Sequence, residues 1–331
     1  LKIFGRWVLG FAGALALLVA GIFAFAPRIE VPLDLSFDAS ALGGDLDAFL
    51  AASEAPFAPK EGTAKAIHWA GEKGAKTPLS VVYLHGFTAS GRELSPVPET
   101  VAKALGANLF VTRYRGHGVA AQELGEAMPA DWMEDTAEAL AIGAKIGGQT
   151  LVIGTSTGGT IATLIAADTK LENPPIGYIL VAPNYKAKSI LDPLSGWPLA
   201  RHYIPLLAGE THKGKIENEQ HAQFWTIDYP TRSFAALGAV VKAAAQANHA
   251  AITAPTLVLY AHEDLVVDVQ KTDEVLAEWG GPVRRAHPKL GEGFVASGHV
   301  IAGDIRSPAG TDWAIEEMVN WAKEQGFGAT R

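Results

Sequence analysis

The chain has 331 residues, 48% apolar and 19% charged, long enough for one large α/β domain or two ordinary ones and too apolar for disorder to be its main state. Its 35 acidic residues outnumber 27 basic ones, for a formal charge of -8, which argues against a polyanion such as nucleic acid as partner. With no cysteine, disulfides, thiolate-held metals and a thiol nucleophile are excluded, so any covalent catalysis needs another side chain.

From Trp7 to Pro27 run 21 residues without a charge, with Lys2 and Arg6 before them and Arg28 after. As a helix this run reaches roughly 30 Å, the thickness of a hydrocarbon core. Residues 1–28 are therefore expected to form a transmembrane helix that anchors the chain. A cleaved signal peptide is the alternative, because Ala24-Phe25-Ala26 has the small-x-small form of a cleavage site. Pro27 directly after the cut and the length of the run speak against cleavage. Basic residues concentrated before the span keep the N-terminus in the cytoplasm and export the remainder. The expected location is the bacterial periplasm or outer face of the membrane, or the medium if residues 1–26 are removed.

Residues 29–63, punctuated by Pro32, Gly43-Gly44, Pro56 and Pro59, read as a tether with one short amphipathic helix near Asp45–Ala52. Beyond it, short apolar runs alternate with longer helical patterns. Strands are expected at 80–86, 108–114, 150–156, 176–184 and 255–264, with a last one around VRRAHP, and helices at 97–105, 131–146, 158–167, 269–279 and 312–325. This alternation predicts an α/β fold, a mostly parallel central sheet with helices on both faces. The near-continuous apolar runs VVYL and TLVI fit strands buried on both sides. The rhythm breaks at residues 185–254, rich in Pro, Trp and Tyr, which are expected to form a cap inserted into a core of residues 64–184 and 255–331.

The run Gly154-Thr155-Ser156-Thr157-Gly158-Gly159 follows one expected strand and opens a helix. That is the setting in which G-x-S-x-G makes a sharp nucleophile turn, so Ser156 is the candidate nucleophile. A serine hydroxyl needs a base and an acid that orients the base. The acid is expected just past the strand after the cap, where Asp264 stands, with Glu263 and Asp268 as neighbours and Asp268 resembling the cap of the next helix. His299, in a loop, is preferred as base over His287, which falls in the last strand, because the base must reach the serine from the carboxyl edge of the sheet. Negative charge on the substrate carbonyl calls for two backbone N–H donors. These are expected from Thr157, directly after the nucleophile, and from Phe87 in the loop behind His85-Gly86. His85 is read as shaping that loop, and the Tyr114–Gly118 segment as buttressing it. Aromatics of the insertion, Trp197, Phe224 and Trp225 among them, could line an apolar acyl or alcohol pocket or simply form the cap's own small core. The insertion's histidines lack zinc-site spacing.

HGFTAS, RGHG, GTSTGG, HEDLVVD and SGH, in this order and spacing, together resemble the α/β-hydrolase superfamily, in its monoacylglycerol lipase-like and bacterial carboxylesterase-like branch, over residues 64–327. The resemblance implies an acyl-enzyme on Ser156, a triad of Ser156, Asp264 and His299, an oxyanion hole of Phe87 and Thr157, a small-molecule ester as substrate, and no metal or organic cofactor. Acyl transfer and amide cleavage would use the same triad, and a non-catalytic binding scaffold is the alternative of another class. Two departures stand out: Arg113 lies where relatives often carry Asp, and the segment before His299 is longer than usual.

Overall fold

The computed structural model describes residues 23–328, together with Phe4, Phe11, Gly13, Ala14, Leu17, Ala20 and Gly21. The expected transmembrane helix falls largely outside these residues. Among the described residues no helix is long and apolar enough to cross a membrane.

The centre of the fold is a seven-stranded sheet in the order β1 (Ala66–His68), β3 (Asn108–Val111), β2 (Thr77–Leu84), β4 (Gly147–Thr155), β5 (Gly177–Val181), β8 (Thr256–Leu259) and β9 (Val283–Ala286). Only β1, at the edge, runs antiparallel to its neighbour; the other pairs are parallel. Because successive strand residues point to opposite faces, the apolar runs feed two separate cores. Val82, Leu84, Phe110, Val152, Leu180 and Val258 meet the helices Pro129–Ile146 and Thr157–Ala167 on one face. Val81, Tyr83, Leu109, Leu151, Ile153 and Leu257 meet the helices Val97–Ala104 and Thr311–Glu324 on the other. The parallel strands end sooner than their apolar runs suggest, at Leu84, Val111, Thr155, Val181 and Leu259. The chemistry-bearing residues beyond them therefore lie in loops at one edge of the sheet.

The segment before the sheet is more than a tether. Asp45 caps the helix Leu46–Glu54 by accepting the Ala48 N–H at 3.1 Å, and Leu35, Leu42, Leu46 and Leu50 are buried in the first core. At its end Glu54 takes Arg113 in a two-pronged pair, 2.6 Å from Nε and 2.8 Å from Nη2. Both groups are buried, so Arg113 is a docking point of the N-terminal segment.

Between β5 and β8 lie the short helices Asp192–Ser195, Ala200–Ala208 and Glu219–Phe224, the two-residue strands β6 (Thr211–His212) and β7 (Tyr229–Pro230), paired antiparallel, and the helix Ser233–Ala245. That last helix falls inside the stretch expected to be a cap, yet Ala236, Val240 and Ala244 pack in the first core beside Ile161 and Ile165. Its sequence, SFAALGAVVKAAA, is small and apolar almost all round, which suits close packing on a neighbouring helix.

Candidate active site

The site forms where β2 and β4 part company, since the chain runs outward in opposite directions across the sheet from these two neighbours. Ser156 is the single residue between β4 and the helix Thr157–Ala167. Its backbone sits at φ 50° and ψ -115°, a region that strains any residue with a Cβ. The strain is held by a ladder-like bond from the Ser156 N–H to the Val181 carbonyl, 2.8 Å, and by the Thr160 N–H on the Ser156 carbonyl, 2.9 Å. The turn also requires Gly158, because a Cβ there would collide with the Leu84 carbonyl oxygen of β2.

Asp264 follows β8 and is fully buried. Its Oδ1 accepts the N–H groups of Val266 at 2.7 Å and Val267 at 3.0 Å, which leaves Oδ2 to accept from His299 Nδ1 at 2.7 Å. That bond places the imidazole proton on Nδ1 and frees Nε2 as an acceptor. The Ser156 hydroxyl donates to it at 2.9 Å. The long loop carrying His299 is exposed over much of its length but fixed at its end: Val295, Val300 and Ile301 are buried, and the Leu265 N–H donates to the Ser297 carbonyl at 2.8 Å. The extra length does not move the imidazole off the serine. His287 lies elsewhere, just past β9, with Nδ1 on the Tyr260 carbonyl at 2.8 Å and its ring stacked on His262. Asp268 caps the helix Val269–Ala277 by accepting the Gln270 N–H.

Phe87 and Thr157 sit on either side of Ser156, one in the loop after β2 and one opening the helix after β4. Among the described residues neither backbone N–H has a partner, so both can receive an oxygen. His85 is buried and its pKa is pushed down to about 4, above all by that burial, so the ring is neutral. Its Nδ1 lies 2.8 Å from the Gly86 carbonyl, and Nε2 accepts the Tyr114 N–H at 3.1 Å. The Tyr114–Gly118 segment is thereby fixed against the loop, and His117 adds edge contacts to His85 and Phe87 at 5.0 and 5.9 Å between ring centroids.

Of the three insertion aromatics expected to line a pocket or to form a small core of their own, two are buried and one is not. Trp197 is half-exposed and packs edge-on against Phe23. Phe224 and Trp225 are buried with Ala89 and Ile305, with Arg92 over the Phe224 ring and Arg306 over that of Trp225. They fasten the insertion to the loops on either side of the serine. The aromatics that gather on Phe87 are Trp132, Tyr229 and Phe234, with ring centroids 5.6 to 6.2 Å away. Phe234 escaped the sequence reading because it belongs to the apolar pattern of a helix and carries no motif. Glu93 also escaped it: this buried carboxyl stands beside the loop after β2 with its pKa pushed up to about 7, chiefly by burial and against the pull of the Gly86 N–H, His299 and Arg306.

A family model described as serine aminopeptidase, S33 matches residues 75–289. No curated protein matches the chain. Among solved structures, one of the metagenome-derived lipolytic enzymes LipS and LipT shares 17% identity at a TM-score of 0.64, covering 80% of this chain and 99% of that one. A soluble variant of monoglyceride lipase from Saccharomyces cerevisiae, in complex with a substrate analogue, shares 14% at a TM-score of 0.58, covering 81% and 92%. Est1E from Butyrivibrio proteoclasticus, bound to ferulic acid, shares 14% at 0.52, covering 79% and 94%. At these identities the likeness is one of fold.

Proposed function

Starting from a chain that belongs to the serine aminopeptidase, S33 family of α/β-hydrolases, we propose that it hydrolyses carboxylic esters through an acyl-enzyme on Ser156. The observation that carries this reading is the unbroken relay from Asp264 Oδ2 through the His299 ring to Ser156 Oγ, 2.7 and 2.9 Å long. Ser156 Oγ attacks the ester carbonyl carbon while His299 Nε2 takes its proton. The carbonyl oxygen becomes an oxyanion that the Phe87 and Thr157 N–H groups receive. As the tetrahedral centre collapses, the C–O bond to the alcohol breaks and His299 returns the proton to the leaving oxygen. Water then attacks the acyl-enzyme, His299 takes a proton from it, and the acid leaves as the proton passes back to Ser156. Asp264 stays ionised throughout, keeping His299 in the right tautomer and offsetting the imidazolium charge.

The ester, as against amide, preference rests on lipases and an esterase standing among the fold neighbours, although the family description names an aminopeptidase. A panel of p-nitrophenyl esters of varied acyl length, run beside aminoacyl p-nitroanilides, tests it. Short-chain esters should be turned over and Ser156→Ala should abolish that turnover; preference for the anilides would move the reading to an aminopeptidase. We further propose that Trp7–Pro27 anchors the enzyme with its catalytic domain outside the cytoplasmic membrane. Retention in the membrane pellet after alkaline extraction supports this, whereas a soluble mature chain starting near Pro27 would defeat it.

A further inference from the structure

The oxyanion loop turns on Gly86, and steric crowding forces the choice of residue. A Cβ at this position would stand 2.8 Å from Glu93 Oε1 and 3.2 Å from Ser156 Cβ. Glycine, however, has no conformational preference with which to aim the peptide that follows it. Two side chains supply the missing restraint. Glu93 Oε2 accepts the Gly86 N–H at 2.6 Å, which fixes the peptide plane before Gly86. His85 Nδ1 donates to the Gly86 carbonyl at 2.8 Å, which fixes the plane after it. The second plane contains the Phe87 N–H, directed opposite to the held carbonyl because the peptide is trans.

Glu93 is itself held from the site's own elements. The Tyr83 hydroxyl stands 3.4 Å from its Oε2 and 3.3 Å from Thr155 Oγ1, the residue before the serine. On its other side, its carbonyl packs against Gly303 in the loop that carries His299, where a Cβ would crowd it at 2.7 Å. The carboxyl is almost wholly buried and makes no ion pair among the described residues, so its placement serves the Gly86 amide and not a salt bridge.

We propose that Glu93 is a positioning residue for ester hydrolysis, holding Gly86 so that the Phe87 N–H faces the oxyanion formed on attack by Ser156. This rests on the acyl-enzyme reading above. Its action is through geometry in the transition state, so loss of the acceptor should lower kcat while substrate binding is spared.

The experiment compares kcat and KM for a short-chain p-nitrophenyl ester among the wild type and the variants Glu93→Leu, Glu93→Gln and Ser156→Ala. Glu93→Leu keeps the volume and removes the acceptor, and kcat should fall by about 10²-fold, with KM changed by less than about twofold. Glu93→Gln still offers a carbonyl oxygen to Gly86 and should recover most of that loss. If Ser156→Ala is inert while Glu93→Leu keeps the wild-type kcat, the positioning role is overturned and the acyl-enzyme reading stands. If Ser156→Ala keeps wild-type activity, the acyl-enzyme reading itself fails. Should Glu93→Leu not fold, amide hydrogen exchange on the wild-type protein decides: strong protection of the Gly86 N–H supports the role, and exchange at the rate of an exposed loop overturns it.

Discussion

Two regions meet at Ser156, and they are built on opposite principles. At the carboxyl edge of the sheet, the polar atoms of Asp264, His299, His85 and Glu93 that face the site are partnered, and the four residues are themselves buried. The insertion above has an outer face that leaves large apolar side chains in the open: Ile190, Leu206 and Leu207 are 92%, 82% and 61% exposed. The edge can hold a reacting geometry to fractions of an ångström because each group is fixed from several sides. The insertion is held beneath by the helix Ser233–Ala245 in the first core and by bonds such as that from the Thr226 N–H to the Thr88 carbonyl at 2.7 Å, and its outer face is the freer to vary. The proposed chemistry therefore belongs to the edge.

Substitutions at the edge should prove costly and those on the outer insertion should not. The largest contrast is between the two histidines: His299→Ala should cut kcat by about 10⁴-fold, while His287→Ala, which removes an imidazole taken up by the Tyr260 carbonyl and the His262 ring, should stay within a few-fold. Steady-state kinetics on one ester reads both, and full activity in His299→Ala would break the contrast. Next comes the N-terminal clamp. Glu54→Ala leaves Arg113 buried without its carboxylate and should cost about 3–5 kcal/mol of unfolding free energy in a urea titration; a loss under about 1 kcal/mol would make the segment the tether it resembles in sequence.

A pH effect of similar order should sharpen the account of the edge. The Glu93 pKa rises from an ordinary 4.5 to about 7, with burial the largest cause. A carboxyl raised in the folded state contributes stability that is present below its unfolded pKa and lost as pH rises through its folded one. Wild type should therefore lose roughly 3 kcal/mol relative to Glu93→Gln as pH climbs across that window. Parallel stability curves for the two proteins would contradict the shift. The smallest effect is expected on the insertion's outer face, where Leu206→Gln should change stability by no more than about 0.5 kcal/mol; a larger loss would mean that this face is covered.

How much of this was legible in sequence follows from how local each signal is. The parallel strands announce themselves as apolar runs, and Ser156 sits in a turn whose glycine is demanded by contacts within a few residues and the adjoining strand. Asp264 and His299 could be expected together because each lies past a strand or in a loop at one edge. β1 could not be seen: it is three residues long, not fully buried, and too short for alternation to register. Glu54 and Arg113 are 59 positions apart, and nothing near either foretells the other. Glu93 gave only the faint signal of an acid followed closely by residues that turn out to be buried, Leu94 and Val97, because its partner is a backbone amide that carries no sequence mark. The aromatics of the insertion were visible as residues, but which of them would face Phe87 depends on how the helix Ser233–Ala245 settles on the core.

The central claim is that Ser156 is a nucleophile activated by His299. Peptide mass spectrometry after brief exposure of the folded protein to a fluorophosphonate tests it most directly. The account predicts one adduct, on the peptide carrying Ser156, formed far more slowly in His299→Ala and absent in Ser156→Ala. Labelling at another residue, or none at Ser156 in folded wild-type protein, would contradict it.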